Sequence, residues 1–440
     1  MRSLSEQKWA WPLGVGLFAS ALDLYDLARR SFWIDEAFNI VLVRDGWSTF
    51  IRTIGVREPS QAVYLVFLKP YLGVVGDGEI VTRLPSVLAG ALAAALLVDL
   101  GRRLFDLRVG VLSGVLFAVD GKFVEWSQYA RTYSLAVLAS VITTMLFLRA
   151  CRRPSRRTFV QYAVAGAISI YCHFYAGFVL VGHAAAFTLR RPRPSIRSLV
   201  EAWIVIGVGL IPFAVYVVAG TRSPVEWIPP LHAHEVWSAI WFAAGENAAL
   251  LVLAIVGAAS VLRSAGSRFE GAVAVGWAVA PIVCGSVVSV LKPALVPRFL
   301  IVVTPALALL AAYAVTRLAR TRFQVVAVLL LVALSIPALV HTYTQNPEDW
   351  RAAAKTARAA VRDGSTVAVL PDFGWRALDV YAPDVVRTTR PAGRTMTVLV
   401  SAAPRARRGL VASFIGRAPY RLVRIDRVGP DFVAERWVRR

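Results

Sequence analysis

The chain has 440 residues, 57% of them hydrophobic and 17% charged, against roughly a quarter charged in a soluble domain; disorder, a collagen repeat and a small disulfide framework are excluded. Lys and Arg number 49 and Asp and Glu 27, a net charge of +22. On a soluble chain that excess points to nucleic acid; on an apolar one it marks cytoplasmic loops and a surface facing anionic lipid.

A spanning helix needs about 20 apolar residues, with tolerance for shorter ones. Eleven stretches qualify, near 10–28, 80–100, 109–122, 132–150, 158–171, 174–189, 198–219, 245–262, 271–290, 299–316 and 324–342. The fifth and sixth are nearly continuous, but the charges flanking them favour two helices. With the N-terminus in the cytoplasm, alternate loops are GRRLFDLR, CRRPSRR, RRPRPSIR, RSAGSR and RLARTR. All are basic, and the opposite loops are longer, mixed in charge and rich in Trp. Basic loops stay inside, so this orientation is predicted. The N-terminal stretch lacks the short apolar region and cleavage site of a signal peptide and is read as a retained span. Cys151, Cys172 and Cys284 lie far apart, without metal-ligand spacing, and are read as buried thiols in membrane helices.

Residues 31–79 form a long outer loop in which 63–75 is predicted to lie in the interface. Residues 220–244, with Trp227, Trp237 and Trp241, form a second outer segment. After about residue 345 the pattern changes. Residues 348–361 read as an amphipathic helix, and 366–370, 397–400, 420–426 and 432–438 as strands. The predicted fold class is therefore a polytopic α-helical membrane domain over 1–345, followed by a small extracytoplasmic α/β domain over 346–440.

The stretch SFWIDEAFN at 31–39 places Asp35 and Glu36 just after the first span. Two acids at a membrane boundary are often merely solvated. Alternatively, one faces a cavity, where it takes a proton from a hydroxyl or holds a cation. Asp23, Asp26 and the Glu246–Asn247 pair lie near helix ends and are read as solvated.

In this order the sequence resembles the bacterial membrane glycosyltransferases of the GT-C superfamily, near the protein O-mannosyltransferase-like branch, glycosyltransferase family 39. The carriers are SFWIDEAFNI at 31–40, YLVFLK at 64–69, GDGE at 76–79, TRLPS at 82–86, GRRLF at 101–105 and WSQYARTY at 126–133. HFY at 173–175, PRF at 297–299 and DWRAA at 349–353 follow. One departure stands out: where relatives have a His-Pro-Pro-type element, this chain has Arg57-Glu58-Pro59-Ser60-Gln61. The resemblance implies a GT-C fold of about 11 helices, a polyprenyl-phosphate sugar donor and an outward-facing active site. It implies Asp35 as general base on an acceptor hydroxyl, and mannose as the sugar. Chemistry agrees with the base: a lipid phosphate leaves readily, whereas an alcohol needs deprotonation. Glu36 would orient the acceptor or tune Asp35, since close carboxylates raise one pKa. Together the pair has the charge to hold a divalent cation.

The donor phosphate needs cations at the outer face. Arg131 and Arg298 fork around phosphate oxygens, with interfacial anchoring as the plain alternative for Arg131. His173, in a tight outer turn, divides evenly between a phosphate or ligand role and an inert one. Lys69 and Lys292 are weaker candidates that also read as snorkelling side chains. Arg57, Glu58, Gln61, Tyr64, Gln128 and Tyr129 are expected to line the substrate site. No Walker loop, Gly-rich turn or Cys/His zinc cluster appears. The expected activity is inverting transfer of the sugar to a lipid, glycan or protein hydroxyl, in the cell membrane. The rivals are a flippase or transporter of lipid-linked sugars, which would show mid-membrane charges, and a glycan polymerase, with its chemistry in late loops. A non-enzymatic scaffold for cell-wall assembly is more distant.

Overall fold

The structure is a computed structural model that describes residues 9–219, 228–345, 348–401, 404–429 and 432–440. Trp227, the start of the second outer segment and the junction just after residue 345 lie outside the described residues. The chain divides into two compact units, one of Met1–Tyr25, Ile51–Pro70 and Arg83–Tyr343, the other of Asp26–Phe50, Tyr71–Thr82 and Thr344–Arg440.

In the first unit a helix occupies each of the eleven apolar stretches: Ala10–Leu24, Glu79–Leu104, Leu107–Ala118, Tyr133–Arg152, Arg156–Cys172, Ala176–Phe187, Ile196–Gly209 continued by Ile211–Ala219, Ala248–Arg263, Arg268–Leu291, Thr304–Thr316 and Thr321–Thr344. The fifth and sixth are indeed separate helices, broken at residues 173–175. By length and composition, five of the described helical segments suffice to cross a membrane; Ala233–Ala243 and Ala248–Arg263, bent by 91°, make up to six. Caps set several boundaries: the Asp106 side chain accepts from the Val109 amide at 3.0 Å, and Asn247 from Leu250 at 3.1 Å.

The apolar helices differ in what surrounds them. Of the apolar window within Pro297–Thr316, 94% is buried in protein; for Thr321–Thr344 the figure is 17%. The first is a core element, while the second presents its apolar surface outward, as lipid-facing helices do. Close helix approach relies on glycine: a Cβ at Gly257 would lie 2.0 Å from the Leu310 carbonyl oxygen. The expectation that Asp23 and Asn247 are solvated is overturned. Both are 1% exposed, because the ends of their helices turn into the bundle. Asn247 donates to the Leu331 carbonyl at 2.9 Å. Asp26 and Glu246 are more exposed, with side chains 44% and 40% accessible. Cys151 and Cys172 are buried, but Cys284 only partly.

The second unit contains a four-stranded sheet in the order β1-β2-β4-β3, with β1 Thr366–Leu370, β2 Thr395–Ser401, β3 Tyr420–Arg427 and β4 Phe432–Arg439. β1 and β2 are parallel; β2/β4 and β4/β3 are antiparallel. All four expected strands are present, and the amphipathic helix forms as Trp350–Arg362. Two helices, Trp375–Tyr381 and Pro404–Ile415, were not foreseen. Neither carries a long apolar period; the first connects the paired strands β1 and β2, the second connects β2 and β3, which are separated in the sheet by β4. One sheet face packs on Trp350, Ala353, Ala357 and Leu378, and Phe32, Ala37 and Ile40 share that cluster. The helix Ile34–Arg44 therefore belongs to the core of this unit, and its apolar residues bury there rather than in a loop.

Candidate active site

The acidic candidates sit at the first turn of the helix Ile34–Arg44. Adjacent positions on a helix point about 100° apart, which separates their fates. Glu36 is 0% exposed, and its Oε2 accepts the Trp33 amide at 2.9 Å, capping its own helix. Asp35 is half-buried on another side of the helix. Beside it the structure brings Glu348, a carboxylate that sequence reading missed. Its Oε2 accepts from the Ile34 amide at 3.2 Å and from Trp350 Nε1 at 2.8 Å. Burial, with the charge of Asp35 behind it, raises the Glu348 pKa above the ordinary carboxylate range. The available signal was its position directly before the DWRAA motif at 349–353.

A frame of long-range bonds fixes this region. Ser31 Oγ accepts the Trp350 amide at 3.0 Å and donates to the Glu348 carbonyl. Arg351 forks around Glu79, with Nε 3.0 Å from Oε1, and also donates to the Ala28 and Arg29 carbonyls at 2.6 and 3.2 Å. Tyr381 OH donates to the same Glu79 carboxylate and accepts the Phe32 amide at 2.6 Å. The GDGE and DWRAA segments thus serve to tie three distant pieces of chain together under Asp35.

The cationic candidates gather in the other unit. Arg298 opens the 3-10 segment Pro297–Val303. Its Nε donates to Tyr133 OH at 3.0 Å, and its guanidinium lies 5.6 Å from the Trp126 ring centroid and 5.8 Å from that of Phe299. His173 is 4% exposed and stacks on Phe174 at 5.0 Å, with Phe299 at 4.9 Å and Tyr133 at 5.5 Å. Burial, and then the charges of Arg131 and Arg298, hold His173 well below the usual imidazole range. It is a neutral ring, able to donate a hydrogen bond but not to add positive charge. Arg131 lies in the non-helical stretch between Gly121–Ser127 and Tyr133–Arg152, 8% exposed. Its carbonyl accepts from Ser86 Oγ at 3.0 Å, and Ser86 Oγ is 3.2 Å from Tyr64 OH. The YLVFLK, TRLPS and WSQYARTY motifs meet at this point.

The remaining predicted residues divide. Tyr129 packs tilted against Trp126, centroids 5.3 Å apart, and joins the aromatic cluster. Gln128 donates to the Asp23 and Tyr25 carbonyls at 3.1 and 2.8 Å, holding the end of the first helix. Gln61 donates to Glu58, a local contact within the substituted element. Arg57 and Lys292 are exposed and Lys69 is half-buried.

Residues 62–218 match the family described as dolichyl-phosphate-mannose-protein mannosyltransferase. No curated protein matches. Among solved structures, ArnT from Cupriavidus metallidurans bound to undecaprenyl phosphate is similar at 13% identity and a TM-score of 0.63, covering 98% of each chain. Its apo form matches at 14% identity and the same TM-score, covering 97% of this chain and 98% of that one. The oligosaccharyltransferase AglB from Archaeoglobus fulgidus, in complex with an inhibitory peptide and a dolichol-phosphate, matches at 13% identity and a TM-score of 0.55, over 86% of this chain and 64% of its own. The class these comparisons define is a membrane protein of helical bundle and small α/β unit. At 13–14% identity the likeness to these structures shows the fold, and the family match is confined to residues 62–218.

Proposed function

We propose that the protein transfers a sugar from a polyprenyl-phosphate carrier to a hydroxyl acceptor on the outer face of the cytoplasmic membrane. The observation that carries this reading is the division of labour between its two clusters: a half-buried aspartate on a helix held by long-range hydrogen bonds, and Arg298 among aromatic rings with the charge of buried Arg131 acting on the same His173. Lipid phosphates bound by proteins of the same fold support the donor class; the matched family supports mannose.

In this reading Asp35 accepts the proton of the acceptor hydroxyl as its oxygen attacks the anomeric carbon. The bond to phosphate breaks, and the carbon inverts in a single displacement. The leaving lipid phosphate takes the bonding pair and needs no proton, so an acid is dispensable. Arg131 and Arg298 counter the charge that grows on it. His173 adds a neutral donor. Glu36 contributes by fixing the helix that presents Asp35, and Glu348 holds the Ile34 amide beside it.

The test is incubation of the purified protein with a panel of polyprenyl-phosphate sugars and lipid, glycan and peptide acceptors, with products identified by mass spectrometry. Sugar transfer from one donor is expected; nucleotide-sugar use, or translocation of donor without transfer, would overturn the reading. Topology has its own measurement. A cysteine placed at Asp372 should react with an impermeant thiol reagent in intact cells and one at Ser155 should not; the opposite pattern would reverse the orientation.

A further inference from the structure

From the residues around the start of helix Ala233–Ala243 we infer a divalent metal site of zinc type, formed by His232, His234 and Glu235. Their ligand atoms all lie within 4.8 Å of one another. None belongs to either cluster described above, and none is used by the proposed transfer.

The donor set suits the chemistry. Two imidazoles and a carboxylate are ligands that zinc accepts in sites with one position left open. Glu235 is split between two tasks. Its Oε2 accepts the His232 amide at 3.0 Å, capping the helix, while Oε1 lies 2.8 Å from His234 Nε2, the spacing of an N–H···O bond whose proton a bound metal would displace. The cap fixes where the carboxylate points, so one oxygen stays aimed at the imidazoles. His232 Nδ1 lies 3.0 Å from the Pro230 carbonyl. A carbonyl can only accept, so this contact holds with the proton on Nδ1, which also lies 3.6 Å from Glu235 Oε2, and Nε2 is then the unprotonated nitrogen. This is the outer hydrogen bond typical of metal-bound histidine. The two rings stack at 5.7 Å with 23° between planes.

Zn–N bonds of about 2.0–2.1 Å in a tetrahedron set ligand atoms about 3.3 Å apart. Closing from the present spacing asks for movement on the order of 1 Å. Both imidazoles are exposed, so ring rotation supplies it without disturbing the core. The same helix packs against the 3-10 segment that carries Arg298. A bound ion would therefore pin the start of a helix that supports the phosphate-binding candidate. The open position is left to water or an anionic oxygen.

Binding is measured directly on the tag-free, full-length protein in detergent, stripped with chelator and titrated with Zn²⁺ against a chromophoric competitor. Co²⁺ absorption reports the coordination. Wild type should take up one equivalent, with cobalt bands of a four-coordinate site. His234→Ala should weaken uptake by more than about 10-fold, the lower end of what loss of even an outer partner costs. Glu235→Gln retains an oxygen for the cap but loses the anionic ligand, so it should weaken binding with an unchanged melting temperature. Absence of stoichiometric uptake by wild type overturns the site. So does wild-type affinity in the His232→Ala/His234→Ala double variant.

Discussion

Asp35 rides on a helix clamped by contacts from residues more than 300 positions away, whereas Arg298 is held by aromatic rings that line several helix ends. Ser31, Glu79, Arg351 and Tyr381 fix the first region through charged and backbone hydrogen bonds. Trp126, Tyr133, His173 and Phe299 surround the second with ring faces and edges. The difference follows the electrostatics of each task. In the proposed transfer Asp35 must stay aimed at the acceptor, and it stands half-buried on a helix whose surroundings pair Arg351 with Glu79. In the proposed transfer Arg298 meets an outside phosphate, and its described neighbours include aromatic rings in cation–π contact and the Tyr133 hydroxyl.

The sharpest break of this comparison is Asp35→Asn. The amide is nearly isosteric but cannot accept the hydroxyl proton, so transfer should fall about 10²–10⁴-fold with the fold intact. Glu36→Gln should be far milder, because the amide oxygen can still cap the helix. Single-turnover assays on both variants decide it: equal losses would show the two carboxylates acting as one unit, and near-wild-type Asp35→Asn would move the base elsewhere.

Next in size are Arg131→Ala and Arg298→Ala. A charge-assisted contact contributes about 1.5–3 kcal/mol, a loss of roughly 10- to 150-fold in donor affinity. Arg131→Lys should fall between wild type and alanine, since the charge remains and the fork is lost. A raised donor KM alone marks a ground-state contact; an added fall in kcat marks one that tightens as the phosphate leaves. Wild-type values in both alanine variants would shift attention to Lys69, Lys292 and His173.

The smallest effect concerns Glu348. Burial and Asp35 raise its folded pKa above the unfolded value of about 4.3. The folded state then binds the proton more tightly, so this group's contribution to stability is full below the unfolded pKa and declines as pH rises through the folded one. Glu348→Gln keeps an oxygen for the Ile34 amide and the Trp350 indole but cannot ionise. Its melting temperature, followed from about pH 4 upward, should lack that decline and exceed wild type near neutrality. Parallel curves for the two proteins would mean that Glu348 feels no such environment.

Hydropathy and charge periodicity sufficed for the eleven helical stretches and for the four strands after residue 345, because both are local: apolar runs mark helices wherever they pack, and short β-branched runs mark strands. The short motifs likewise singled out Asp35, Arg131, His173 and Arg298. What sequence could not decide was which side of a helix meets a partner. Asp35 and Glu36 are neighbours in the chain and alike in chemistry, yet one is half-buried and the other caps its own helix. Asp23 and Asn247 read as solvated ends and are buried instead. Glu348 joins Asp35 across 313 positions (348 less 35). Burial, pairing and proton affinity depend on the field of distant atoms, and only tertiary packing sets that field.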